Sequence, residues 1–234
     1  EDWGYFADGE SPEILIGDMN KLRTLSQEPD KPYFLLGHSM GSYLLRRYLS
    51  VYGGGLSGAV IMGTGANPDA VAKLGMAVCK AIAAFKGWKY RSPFMEKLFF
   101  SGDFQKFDMD GTHPENSWLT KDTEIVRFYY SEPRCTFKFT LKAYYDFLKT
   151  VYYVNRKENV EKIPKDLPIL MVAGDCDPVG EFGKAVKRVY EMYKAAGIND
   201  VTLKLYENDR HEILNETDKE RVFDDIFNWC ESRQ

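Results

Sequence analysis

Apolar residues recur along the first quarter of the chain with the spacing of a helix, then of a buried strand, then of a helix again. Ile14, Leu15, Met19, Leu22 and Leu25 follow Ser11-Pro12 at helical steps. This predicts an amphipathic helix with Ser11 as N-cap and Pro12 as its first helical residue. Pro29 and Pro32 bracket a turn. Residues 33–36 are apolar in succession, as in a strand covered on both faces. Tyr43, Leu44, Tyr48, Leu49 and Val51 then resume helical spacing from Met40 until Gly53-Gly54-Gly55 stops it.

A second apolar strand is predicted at Gly58–Met62, a third at 168–173, and a fourth at Val201–Tyr206. The fourth alternates as a strand near a sheet edge does. Phe182, Val186, Val189 and Tyr193 predict a helix between the last two strands. Thr217-Asp218-Lys219-Glu220 has the form of a capping box opening a final helix, with Val222, Phe223, Ile226 and Trp229 on its buried face. Strand, helix, strand, then strand, helix, strand, helix is the grammar of a parallel α/β sheet. The stretch 67–156 interrupts it with helical patterns at 69–85, 120–130 and 136–154 and many aromatics. The expected organisation is core at 1–66, a helical insertion at 67–156, and core again at 157–234.

Composition narrows the function. The 234 residues suit one domain or one domain with an insertion. With a net charge of −4 and no basic stretch, nucleic acid is not an expected partner. No apolar run reaches the roughly 20 residues of a membrane span. Cys79, Cys135, Cys176 and Cys230 form no C-x-x-C pair and no zinc spacing, so free thiols of a reducing compartment, the cytoplasm, are expected. The chain opens Glu1-Asp2-Trp3, without Met or a signal pattern, which reads as a sequence entered partway.

The chemistry lies in three motifs. Gly37-His38-Ser39-Met40-Gly41 is G-x-S-x-G between a predicted strand and a predicted helix. That turn is too tight for side chains two residues either side of the serine, and it lifts the hydroxyl off the sheet. The helix start then places the Met40 N–H beneath a developing oxyanion. A serine hydroxyl needs a base, normally histidine. Of three histidines, His38 neighbours Ser39 on the turn, where its side chain is expected to point away, and His113 lies in a turn inside the insertion. His211, in Asn208-Asp209-Arg210-His211, follows the last strand at the edge where open α/β sheets bind ligands. The base needs a carboxylate to orient it. In Gly174-Asp175-Cys176-Asp177-Pro178, Asp175 and Asp177 compete. Asp177 is favoured because Pro178 restricts its backbone, and Asp175 fits a loop-bracing role. Asp209 reads as a turn residue.

These residues resemble the monoacylglycerol lipase and lysophospholipase branch of the α/β-hydrolases, a group also called serine aminopeptidase-like. The match rests on Gly-His-Ser-Met-Gly, on the Gly-x-x-Asp that ends at Asp177, and on Arg210-His211-Glu212. The resemblance implies an α/β-hydrolase fold with a helical cap. It implies hydrolysis of lipid-like monoacyl esters through an acyl-enzyme on Ser39, with no metal or organic cofactor and transient membrane-surface contact through the cap. A general carboxylesterase, a peptidase or a silent ligand-binding relative are the alternatives on the same scaffold. One departure stands out. Members of the family carry several strands ahead of the nucleophile strand, and a His-Gly segment there gives a second oxyanion N–H. Nothing before Tyr33 matches it, so the chain is expected to be a fragment, with an uncovered sheet edge and little activity alone.

Overall fold

The computed structural model describes residues 3–233. Its elements in chain order are α1 (Ser11–Ser26), β1 (Phe34–His38), α2 (Met40–Tyr52), β2 (Gly58–Met62), α3 (Asp69–Lys86) and α4 (Pro93–Phe99). Two 3₁₀ turns at Gly102–Lys106 and Pro114–Asn116 precede α5 (Thr123–Ser131), α6 (Pro133–Thr136), α7 (Leu141–Val154) and α8 (Lys157–Val160). Then come β3 (Ile169–Gly174), α9 (Lys184–Ala195), β4 (Val201–Tyr206), a 3₁₀ turn at Ile213–Asn215, and α10 (Glu220–Glu231).

The four strands form one parallel sheet in the order β1-β2-β3-β4. The pleat sends alternate residues to opposite faces. Ala59 and Ile61 of β2, with Ile169, Met171 and Ala173 of β3, pack against Leu45, Tyr48 and Leu49 of α2 and Val186, Val189 and Tyr193 of α9. Val60, Met62, Leu170 and Val172 face the other way, onto Val222 and Trp229 of α10. This is the α/β-hydrolase arrangement expected from the sequence. β4 lies at one edge, as its alternation predicts. β1 lies at the other, where Leu36 is 47% exposed and, among the described residues, no further strand pairs with it. Between β2 and β3 the chain is helical, and α3, α4 and α7 share a separate apolar cluster around Cys79, Met95 and Tyr144.

Several local expectations shift. β1 runs on to His38, because Gly37 and His38 keep the register with Ile61 and Met62. Glu10 occupies the cap of α1, and the Ser11 hydroxyl donates back to the Ala7 carbonyl (3.3 Å) instead of accepting from the helix. The capping box before α10 is not formed. Lys219 stands at the N-cap without a side-chain bond, and Asp218 pairs with Arg221 (2.8 Å). α5 starts at Thr123, capped by Asp122, and the pattern at 136–154 starts its helix only at Leu141, capped by Thr140. α4 lies outside the helical patterns that the sequence predicts.

Candidate active site

Strand register brings the three motifs to one rim. His38 stands beside Met62, Met62 beside Val172, and Gly174 beside Tyr206, so the segments following all four strands emerge together. Ser39 sits at φ 54°, ψ −124°, a conformation non-glycine residues rarely adopt and one found mainly at functional turns. A Cβ on Gly37 would lie 2.4 Å from the Gly41 carbonyl oxygen and 2.9 Å from Leu45 Cβ, so the turn closes only around a glycine. The Ser39 N–H donates to the Met62 carbonyl (3.1 Å) and its carbonyl accepts from Ser42 N–H (2.8 Å), which fixes the turn between sheet and helix. Met40 is the first residue of α2, so its N–H belongs to the unsatisfied, positive end of that helix.

Asp177 is fully buried. Its Oδ1 accepts the Val179 N–H (2.8 Å), and its Oδ2 lies 2.9 Å from His211 Nδ1. Asp175 instead accepts the Asn208 N–H (2.8 Å) and braces the two loops against each other. With Asp177 as acceptor, Nδ1 carries the ring proton and Nε2 is left with its lone pair. Nε2 is buried and has no hydrogen-bond partner. The structure thus joins Asp177 to His211, while the Ser39 hydroxyl is not hydrogen-bonded to the imidazole.

Two aromatic rings pack on His211. The His38 ring lies 4.7 Å away, tilted by 40°, and the Trp118 indole 5.0 Å away, tilted by 31°. His38 Nε2 lies 3.0 Å from the His211 carbonyl oxygen and donates to it. Burial, and after it the neighbouring His211, push the His38 pKa down to about 4, so this ring is neutral near neutral pH. His38 is therefore a packing partner of His211. Its position next to Ser39 was the one sequence signal for that role. Nothing in the sequence singled out Trp118. His113 is exposed and sits 3.4 Å from Glu115.

Ser39 and Met40 open into a cavity of about 600 Å³ whose walls are mostly apolar, among them Leu74, Phe99, Phe100, Phe104, Trp118 and Leu148. Beside the site, Asp209, Glu216 and Asp218 bring carboxylates together. Lys121 reaches all three, at 2.7, 3.8 and 3.6 Å. Arg221 reaches Asp209 (2.9 Å) and Asp218 (2.8 Å). Two protein cations are thus already paired with these three carboxylates. Asp209 is a fully buried ion-pair anchor and not simply the turn residue its sequence context suggested.

A parallel sheet with a serine on a strained strand-to-helix turn and a buried Asp–His pair at the same rim defines an α/β-hydrolase. The family model described as serine aminopeptidase, S33, matches residues 4–218, and the chain belongs to that family. It is similar to a monoacylglycerol lipase of Mycolicibacterium smegmatis, at 26% identity over 211 residues. That match takes in 88% of this chain and 65% of the relative, so the chain spans a little under two thirds of that relative's length. Among solved structures it resembles a highly thermostable carboxyl esterase from Bacillus coagulans in complex with glycerol (TM-score 0.86, 29% identity), covering 99% of this chain and 74% of that one. A monoglyceride lipase from Saccharomyces cerevisiae shares the fold (TM-score 0.72, 21% identity; 99% of this chain, 71% of that one).

Proposed function

We propose that this chain carries the catalytic residues of a serine hydrolase that cleaves carboxylic esters of lipid-like monoacyl substrates. Ser39 Oγ attacks the ester carbonyl, and His211 Nε2 takes its proton. Asp177 holds the imidazole in the Nδ1–H tautomer and stabilises the imidazolium. The oxyanion of the tetrahedral intermediate accepts from the Met40 N–H. Collapse of that intermediate breaks the ester C–O bond, and His211 returns its proton to the departing alcohol. Water then adds to the acyl-enzyme with His211 again as base, which releases the carboxylic acid and restores Ser39.

The observation that carries this reading is the sealed Asp177–His211 pair whose one unpartnered nitrogen, Nε2, belongs to the rim that holds Ser39 at positive φ. Catalytic hydrogen bonds often tighten only with substrate bound, so the open Ser39–His211 contact is compatible with it. The apolar cavity beside Ser39 supports an acyl chain as the group recognised. On this reading residues 1–66 and 157–234 are core and 67–156 the cap. Exposed Val71, Leu74 and Leu98, which also border the cavity, let the cap rest transiently on a lipid surface.

The test is fluorophosphonate labelling of the full-length protein, together with turnover of monoacyl esters of increasing chain length. Labelling and turnover should both vanish in Ser39→Ala apart from a small residual rate. Full labelling of the variant would remove Ser39 from the mechanism. A preference for short esters or for amides over long monoacyl esters would point to a general esterase or peptidase.

A further inference from the structure

The insertion and the loop that carries His211 are fastened together more firmly than neighbouring loops need to be. The His211 N–H donates to the Trp118 carbonyl (3.3 Å) and the Glu212 N–H to the Leu119 carbonyl (2.7 Å). The Arg210 guanidinium donates to the carbonyls of Ser117, Thr120 (3.3 Å) and Glu115 (3.0 Å), all in the same short stretch. Buried Glu216 accepts from Arg210 N–H (2.8 Å), Lys121 N–H (3.0 Å) and the Thr120 hydroxyl (3.0 Å). Residues 115–121 and 209–216 are therefore tied together at several points, with the Trp118 indole held against the imidazole.

The indole also faces the cavity. Phe104 meets it edge-on at 5.3 Å and Phe100 lies 6.1 Å away, and all three rings line the same space as Ser39. Phe100 and Phe104, Trp118 and His211 thus form a continuous run of ring contacts leading from the cavity to the imidazole. The His38 ring also packs on the imidazole, 4.7 Å away. The Asp177 bond opposes rotation of the ring.

We propose that Trp118 is a positioning residue for His211, and that it couples the filling of the acyl cavity to the placement of the base. The inference rests on the esterase reading above. It assigns the insertion a part in the chemical step: a long acyl chain packs Phe100 and Phe104 under the indole, the indole pins the imidazole, and kcat rises with chain length. A short ester leaves the aromatic stack loose and turns over with a less well-placed base.

The experiment compares kcat and KM for a short-chain and a long-chain monoacyl ester in the full-length wild type, Trp118→Leu, Trp118→Phe and Phe104→Leu. Misplacing a catalytic group by about an ångström costs on the order of 100-fold in rate. Trp118→Leu should lower kcat on the long ester by roughly tenfold to 100-fold, and the ratio of long-chain to short-chain kcat should collapse towards one. Trp118→Phe keeps a ring over the imidazole and should recover most of the loss. Should Trp118→Leu fail to fold, Phe104→Leu decides, because it leaves the indole in place but removes its support, and the same ratio should fall. A rise in KM for the long ester at unchanged kcat, in Trp118→Leu or in Phe104→Leu, would show that the rings merely line the cavity and would overturn the proposal. A wild type with no Ser39-dependent esterase activity would overturn the underlying reading as well.

Discussion

His38 and His211 are bound to each other twice, by the 3.0 Å contact of His38 Nε2 with the His211 carbonyl and by rings 4.7 Å apart. The first bond needs His38 to carry a proton on Nε2, and on the proposed mechanism, in which His211 becomes a cation, the ring contact needs it to be uncharged. Burial meets the second need by pushing the His38 pKa from 6.5 down to about 4. The groups that face it are His211 and the Asp177 carboxylate, whose opposing effect is smaller.

That depressed value makes stability depend on pH with a definite sign. Between pH 4 and 6.5 the unfolded chain binds a proton at His38 that the folded chain does not. Stability therefore rises with pH across that window and falls as pH is lowered through it. A histidine pKa lowered this far corresponds to an effect on the order of 3 kcal/mol across the whole window. Denaturant unfolding at about pH 4.5 and 7, either side of most of that titration, should show the wild type losing stability at the lower pH. His38→Gln keeps a side-chain donor without the titration, and its loss over the same range should be smaller. An equal pH dependence in the two proteins would remove His38 as the source.

The two carboxylates after β3 should separate cleanly by kinetics. Asp177 bonds the imidazole and Asp175 bonds the Asn208 N–H. Asp177→Asn should lower kcat by about 10³–10⁴, since an amide favours the wrong tautomer. Asp175→Asn should cost about 1 kcal/mol of stability through a weakened loop bond and leave kcat within a few-fold. The reverse pattern in steady-state kinetics would transfer the orienting role to Asp175.

Gly63 offers a test of how tightly the base is held. Its φ is +59°, and a Cβ there would stand 3.1 Å from His211 Cε1 and 3.2 Å from His38 Cδ2. Gly63→Ala combines a left-handed backbone cost of about 1–2 kcal/mol with pressure on both imidazoles. The expected result is a modest fall in melting temperature with a fall in kcat larger than the stability change explains. Unchanged kcat would mean that His211 has room to shift without losing its alignment.

Much of this site was legible because the chemistry is written in short motifs anchored to strands. G-x-S-x-G after 33–36 located Ser39, and the loops after the third and fourth strands located Asp177 and His211, since parallel strands deliver every such loop to one rim. What stayed hidden depends on contacts between distant segments. Trp118 is one aromatic among many in the insertion, and only the folding of residues 115–121 onto 209–216 places it over the base. Asp209 sits in Asn208-Asp209-Arg210, a turn-like sequence, yet Lys121 and Arg221 come from elsewhere to neutralise it in the interior. The capping pattern at Thr217-Asp218-Lys219-Glu220 did not form: Lys219 stands at the cap, and Asp218 pairs with Arg221 three residues on and with Lys121 of the insertion.

Glu216 should prove to be the residue whose loss separates the insertion from the core. It is fully buried, and its carboxylate accepts from Arg210 N–H, Lys121 N–H and the Thr120 hydroxyl, which also reaches the Asn215 carbonyl (3.0 Å). Glu216→Ala leaves the Arg210 and Lys121 N–H groups without that acceptor, at about 1–3 kcal/mol for each that finds no water, so a total loss of roughly 2–4 kcal/mol is expected once some rehydration is allowed for. Because both tethered segments border His211, hydrogen exchange should quicken at residues 115–121 and 209–216 together while α9 stays protected. Glu216→Gln retains an acceptor oxygen and should fall between the two. Faster exchange in one segment without the other would show that the two are fastened independently, and that the insertion does not carry the base loop with it.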